Sequence, residues 1–307
     1  MNILRTSTSI PAIFACLLWA SAFVGIKIGL HYTTPLNFAG VRFIIAGFLI
    51  LPFTGGLKHY MSSIRKNWKI VILITLLTTF LQYAFFYHGI DLVPASLAAI
   101  IIGAQPLFIA FVAHFLMPGD SMNWKKLLIY ILGFTGIILV SFGRHKFSIT
   151  EEVKFVGILF LIMVNIISGF SNVLVSKDGK KIPALVLSSS SLLIGGALLF
   201  LVSIPLEGFT SFIQPLPYYL SLGWLSILSA LAISIWFILL KRPGVKVSEL
   251  NFWKFLIPLA GAILAWIILP DEKINFYAIS GMIIIAGSLV ILNIYKRKNS
   301  DKSASFL

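Results

Sequence analysis

Asn165, Ser168 and Asn172 recur at i, i+3 and i+7 in an otherwise apolar stretch, so they share one face of a helix. Such a face turns away from lipid, toward a wet cavity or toward another helix, where Ser and Asn contacts stabilise only modestly. From the residues alone both readings stay open for all three. Tyr83 and Tyr87 form a similar i, i+4 pair, and Gln105 stands beside Pro106. Trp236 and Trp266 have flat faces able to stack on a substrate, although core or interfacial packing is the more frequent role of tryptophan. This is the chemistry of binding rather than of bond-making. The five histidines are scattered, and no His-Glu-x-x-His, Cys-x-x-Cys, Gly-x-Ser-x-Gly or phosphate-loop pattern occurs. An enzyme, a self-contained ATP-driven pump, a cofactor and a metal site are therefore not expected. A channel lacks its filter-like repeat.

Two prolines and three cations lie inside apolar runs. Pro106 and Pro258 each remove an N–H and free the carbonyl four residues back, at Ile102 and Lys254. At membrane depth a freed carbonyl is tolerated where protein or water satisfies it. A hinge or substrate-coordinating break fits these positions as well as an ordinary kink does. Lys27 and Lys254 sit a few residues from the ends of their runs and are expected to snorkel. Arg42 lies deeper, about 9 Å along the helix from Leu36, where a charge needs a partner. Asp91 is the expected one, and a substrate carboxylate is the alternative. His88, one turn before Asp91, has the intrinsic chemistry to titrate near neutral pH. The single cysteine, Cys16, reads as a small buried hydrophobe.

The elements that position these residues follow from the chain's solvent. Of its 307 residues 59% are hydrophobic and 11% charged, against about 25% charged in soluble domains. No globule of this size could cover so much apolar surface with polar groups, so lipid is the solvent. Ten apolar runs of spanning length appear, taken here as spans one to ten: Ile10–Leu30, Leu36–Phe53, Trp68–Ile90, Pro94–Met117, Trp124–Gly143, Val153–Val175, Ala184–Ile204, Leu216–Leu240, Leu250–Leu269 and Asn275–Tyr295. Ala20-Ser21-Ala22 mimics a signal-peptidase site, but apolar character continues to Leu30, so span one is expected to stay uncleaved.

The formal charge of +14 would suggest nucleic acid in a soluble protein. Here the cations sit in short links between spans. With the N-terminus inside, 17 of the 24 Lys and Arg fall on one side, while only Arg144, Lys146, Lys154 and Lys273 fall on the other. The positive-inside rule then places both termini in the cytoplasm of a plasma (inner) membrane. The expected partners are a small-molecule metabolite and the bilayer itself, not nucleic acid, and no pattern speaks to an oligomeric state. No span holds an Asp or Glu in its interior, so a compact, purely cationic substrate would find no counter-charge. A neutral, zwitterionic or anionic metabolite is expected.

A long internal period is also visible. At a shift of 152, Pro106 meets Pro258, Pro118 meets Pro270, Asp120 meets Glu272 and Ser96 meets Ser248. The predicted architecture is all-α and polytopic, with ten spans in two five-helix halves, residues 1–150 and 151–307. An odd number of spans per half gives the halves opposite orientation, a recurrent transporter plan with its site near the midplane.

Several short motifs carry a family likeness: Trp19-Ala20-Ser21-Ala22-Phe23 followed by Lys27, Arg42-Phe43, Tyr83 to Tyr87, Pro94-Ala95-Ser96-Leu97-Ala98, Pro106-Leu107-Phe108, and Pro258 to Leu269. On these the chain resembles the drug/metabolite transporter superfamily, in its ten-helix EamA-type branch. The resemblance implies cytoplasmic termini and a central cavity lined mainly by spans one, three, four, six, eight and nine. That cavity adds Trp19 and Ser21 to the candidate binding residues. It also implies secondary transport, chiefly export, of small metabolites such as amino acids, with a flippase or carrier for a lipid-linked substrate as the rival. The second half departs from the family pattern: span six carries Ser168-Gly169-Phe170-Ser171-Asn172 in place of the Trp-x-Ser motif, and span nine ends in Pro270-Asp271-Glu272.

Overall fold

Spanning helices must bury their polar backbone internally and show lipid an apolar exterior, and the computed structural model of the chain is built this way. It describes residues 8–93, 95–144, 155–208, 210–211, 213–268 and 276–304. Nine helices among these are long and apolar enough to cross a membrane: Ser9–Gly29, Pro35–Phe53, Trp68–Ile90, Leu97–Leu116, Trp124–Ser141, Phe155–Lys177, Ala184–Glu207, Leu216–Leu240 and Phe276–Tyr295. The remaining run is discontinuous. Span nine is a short helix Val247–Asn251, a 3-10 turn Phe252–Phe255 and a second helix Leu256–Ile268. The acidic end of span nine and the link holding Lys146 and Lys154 lie outside the described residues.

The exterior is what lipid requires. Phe48, Phe111, Phe115, Leu220 and Ile283 are all more than half exposed, an apolar area no water-soluble monomer displays. Exposed Trp68, Trp124, Phe276 and Tyr277 sit at span ends, where aromatic rings favour the headgroup boundary. One short helix, Leu57–Lys66, precedes span three and crosses nothing. Lys27 is exposed, as snorkelling requires.

The interior pairs helices from the two halves of the chain. Span two packs along span seven and span five along span ten, span one packs with eight and nine, and span six packs with three and four. Exchanging each span with the one five positions on maps this pattern onto itself. The two direct pairs depend on glycine. A Cβ at Gly40 would stand 2.7 Å from the Phe200 backbone nitrogen, and one at Gly136 would stand 2.7 Å from the Gly281 carbonyl oxygen. Small residues are what let membrane helices approach this closely. Buried serines of span seven add polar ties: Ser189 donates to the Gly47 carbonyl at 2.8 Å, and Ser188 lies 3.1 Å from the Ser234 hydroxyl. At the end of span seven the Glu207 carboxylate accepts from the N–H groups of Leu36 and Asn37 at 3.0 to 3.1 Å. It thus satisfies the free donors that open span two.

Candidate substrate site

Spans four and nine break where they face each other. In span four the first helix ends at Gly103, and a second starts at Gln105 with Pro106 as its second residue. In span nine Pro258 is the third residue after the 3-10 turn. Both prolines therefore open a helix segment, where a missing N–H costs little, instead of kinking a continuous helix. Asn165 meets the first break, its side-chain amide donating to the Ile101 carbonyl at 2.6 Å. The carbonyl so satisfied is one residue earlier than the expected Ile102. Asn165 is wholly buried against span four. Expected on the cavity face with Ser168 and Asn172, it acts instead as a tie between helices.

The break in span nine turns Lys254 inward. Its Nζ donates to Gln105 Oε1 at 3.0 Å and lies 5.3 Å and 5.8 Å from the ring centres of Trp236 and Trp19. The expectation that Lys254 snorkels is corrected here: the helix is interrupted at that point, so the side chain leaves along the turn and into the protein. Among the described residues no carboxylate pairs with it. Two cation–π contacts contribute about 0.5–2 kcal/mol each, against a desolvation cost of several kcal/mol for a buried ion. The ammonium is under-compensated.

Around Lys254 lies a cavity of about 490 Å³, a volume that includes its open mouth. Span one contributes Trp19, span six Ser168, Ser171 and Asn172, span eight Trp236, and span three Thr78, Thr79, Gln82 and Tyr83. The threonines belong to an i→i+5 turn over Leu76–Leu81, a π segment inside span three, of the kind often found at functional sites. Both reach Ser191 of span seven, at 2.8 Å and 2.9 Å. The aromatic wall is fixed in place. Trp236 Nε1 donates to Asn172 Oδ1 at 3.0 Å, Asn172 Nδ2 donates to the Ser168 carbonyl at 2.8 Å, and Trp19 packs edge-on against Trp236 at 5.0 Å.

Of the sequence candidates, Trp19, Tyr83, Ser168, Asn172 and Trp236 line this cavity, and Gln105 reaches it through Lys254. Ser21 does not; its hydroxyl donates back to the Leu18 carbonyl. Arg42 stands one layer behind Tyr83. It is 3% exposed, its guanidinium is 4.4 Å from the Phe43 ring centre and 5.7 Å from that of Tyr83, and its Nε and Nη1 have no hydrogen-bond partner among the described residues. The side chain of Asp91, its expected partner, lies outside the described residues, as does that of Trp266. Tyr87 is buried beside Tyr83, its hydroxyl without a hydrogen-bond partner among the described residues. His88 Nδ1 lies 2.8 Å from the Ala84 carbonyl oxygen, away from the cavity. The cavity residues missed in the sequence are Lys254, Thr78, Thr79, Gln82 and Ser171. Lys254 alone carried a signal, standing four residues before Pro258.

The two ends of the cavity differ. Toward the face where span one begins and span ten ends, one apolar core runs across both helix groups. It joins Ile109, Val112 and Val175 of spans four and six to Cys16, Leu240 and Leu250 of spans one, eight and nine. A buried polar cluster closes the same face. The Asp120 carboxylate accepts from the Ser248 N–H at 2.8 Å and from its hydroxyl, Tyr130 donates to the Ser248 carbonyl at 2.7 Å, and Lys126 Nζ lies 3.1 Å from Glu249. Toward the opposite face the cluster of Val93, Ala98 and Leu161 stays within spans three, four and six. Among the described residues, packing that joins the two helix groups closes the cavity toward the first face.

Comparison with known proteins agrees with this architecture. A solved crystal structure superposes with a TM-score of 0.81 at 19% identity, covering 95% of this chain and 98% of the other. An uncharacterised transporter of Bacillus subtilis is 26% identical, covering 98% of this chain and 95% of its own length, and one of Archaeoglobus fulgidus is 28% identical over 92% and 96%. An Escherichia coli protein described as a "probable amino-acid metabolite efflux pump" is 27% identical over 91% and 92%. The model of the EamA-like transporter family matches twice, over residues 7–142 and 155–294, and with nearly the whole length so matched, this chain is a membrane transporter that belongs to the EamA-like transporter family.

Proposed function

We propose that the protein is a secondary carrier that exports a small neutral, zwitterionic or anionic metabolite of amino-acid type from the cytoplasm by alternating access. The observation that carries this reading is the polar, aromatic-walled cavity between two helix groups, closed toward the terminal face by packing among the described residues. Residues 1–150 and 151–307 act as two inverted repeats, and rocking of spans one, eight and nine against three, four and six exposes the cavity to each side in turn. The positive-inside count makes the sealed face cytoplasmic. Trp19, Tyr83, Ser168, Asn172 and Trp236 contact the substrate directly, while Ser21, Arg42, Tyr87, Gln105 and Asn165 support that shell. Pro106 and Pro258 mark the hinges. Substrate of this charge type suits a cavity whose lining, among the described residues, includes a lysine and no acid, and the printed description of the E. coli relative points the same way.

The test compares metabolite efflux from cells expressing wild type, Trp19→Ala and an empty vector. Wild type should release a small set of compounds that Trp19→Ala releases more slowly. Identical profiles from all three strains, or vesicle transport confined to quaternary ammonium compounds, would refute the proposal.

A further inference from the structure

The turn in span nine buries a charge that has no counter-charge among the described residues. We infer that Lys254 is the specificity-determining residue of the site, holding Gln105 when the cavity is empty and exchanging that amide for a monovalent carboxylate of the substrate. The inference rests on the carrier reading above and assigns its charge selection to one atom.

Geometry supports the exchange. Lys254 Nζ lines the cavity, and its one hydrogen-bond partner among the described residues is a neutral amide oxygen at 3.0 Å. The remaining directions are taken by the faces of Trp19 and Trp236, which attract a cation without satisfying its donors. An amide oxygen is a weaker acceptor for an ammonium than a carboxylate is, so a substrate carboxylate entering beside Trp236 displaces Gln105. No covalent or proton-transfer step is involved.

The charge class follows from what surrounds Lys254. Among the described residues one ammonium lines the cavity, with no guanidinium fork and no acid beside it. That matches a single negative charge better than a phosphate dianion. Gln105 and Lys254 belong to broken helices of opposite halves, so the exchange also releases a bond that ties those breaks together. Binding and rearrangement are thereby coupled through differential contacts in the empty and loaded states.

Two measurements on the full chain test this. First, Gln105→Glu supplies the carboxylate from within the protein. In detergent it should melt at a higher temperature than Gln105→Leu, and the gain should vanish when Lys254→Met is added. No gain, or a gain that persists without Lys254, overturns the inference whatever the transport assays give. Second, proteoliposomes are loaded with an equimolar mixture of amino acids, monocarboxylates, amines and sugars. Wild type should release carboxylate-bearing compounds, Lys254→Met should cut that release about tenfold or more, and Lys254→Arg should retain part of it. Release of carboxylate-free compounds alone, or undiminished release by Lys254→Met, overturns the inference while leaving a carrier. No release above empty liposomes counts against the carrier itself, and the melting comparison still decides the role of Lys254.

Discussion

Lys254 Nζ and Gln105 Oε1 lie 3.0 Å apart, although their residues are 149 positions apart in the chain. Each sits where its helix is broken, Gln105 at the restart of span four and Lys254 in the turn of span nine. The bond crosses the middle of the protein between its two halves.

The seal at the terminal face gives the first prediction. Asp120 and Ser248 are both buried, and their bonds join the two halves on that face. Asp120→Asn removes a charge-assisted bond contributing about 1.5–3 kcal/mol, enough to raise the population opened at that face about tenfold or more. The native Cys16, wholly buried in the apolar core behind the seal, reports on it. Maleimide labelling of Cys16 should be slow in wild type and accelerated in Asp120→Asn. Equal rates would remove the gating role from this cluster.

Helix approach gives a second. A Cβ on Gly281 would stand 2.5 Å from the Gly136 carbonyl oxygen, with backbone rather than a yielding side chain in the way. Gly281→Ala should cost about 1–3 kcal/mol and lower the Tm of the purified protein. Gly287, in the same helix, meets nothing within 4 Å, and Gly287→Ala should leave the Tm unchanged or slightly higher.

Asn165 separates a tie from a binding group. Asn165→Ala removes the side-chain donor from the Ile101 carbonyl, which among the described residues keeps only the longer bond from the Ala104 N–H at 3.2 Å, a loss of about 0.6–2 kcal/mol for a polar contact between membrane helices. The Tm should fall while the transport KM stays near wild type. For Asn172→Ala, which frees the Trp236 ring, KM should rise. If Asn165→Ala shifted KM as much as Asn172→Ala does, the placement of Asn165 behind the wall would lose its functional meaning.

Lys241, just past the end of span eight, predicts a pH dependence. Burial pushes its pKa down from 10.5 to about 8, while its ammonium donates to the Ile182 carbonyl. Between those two values the unfolded chain binds the proton and the folded chain does not. Stability therefore rises with pH from about 8 toward 10.5 and has no contribution of this kind below 8. Lys241→Met should flatten that part of a Tm-against-pH curve. A wild-type curve already flat above pH 8 would contradict the assignment.

Much of the fold was legible because lipid imposes a simple code. Runs of about 20 apolar residues become spans, and the limits read for spans two, three and eight fall within a residue of the helices found. Trp19, Ser168, Asn172 and Trp236 were legible for the same reason, since a polar or amphipathic group in a greasy run must face inward. Asn165 shows where that logic stops: facing inward does not distinguish a cavity from a neighbouring helix. Lys254 shows its other limit. Distance from the end of a run implies snorkelling only for a regular helix, and the 3-10 turn over Phe252–Phe255 redirects the side chain. The π turn that brings Thr78 and Thr79 into the cavity is likewise a tertiary adjustment, fixed by Ser191 across the interface.

The amino-acid sequence by itself determined that this is an all-helical membrane protein, which of its stretches cross the bilayer, and that its family is one of transporters. Those properties follow from local composition, because the cost of placing backbone and charge in hydrocarbon is paid residue by residue. Only the tertiary structure decided that the prolines start helix segments, that Lys254 faces Gln105 between two tryptophans, and which end of the cavity is closed. These depend on contacts between positions more than a hundred residues apart, and no local pattern of polarity encodes which buried groups will meet.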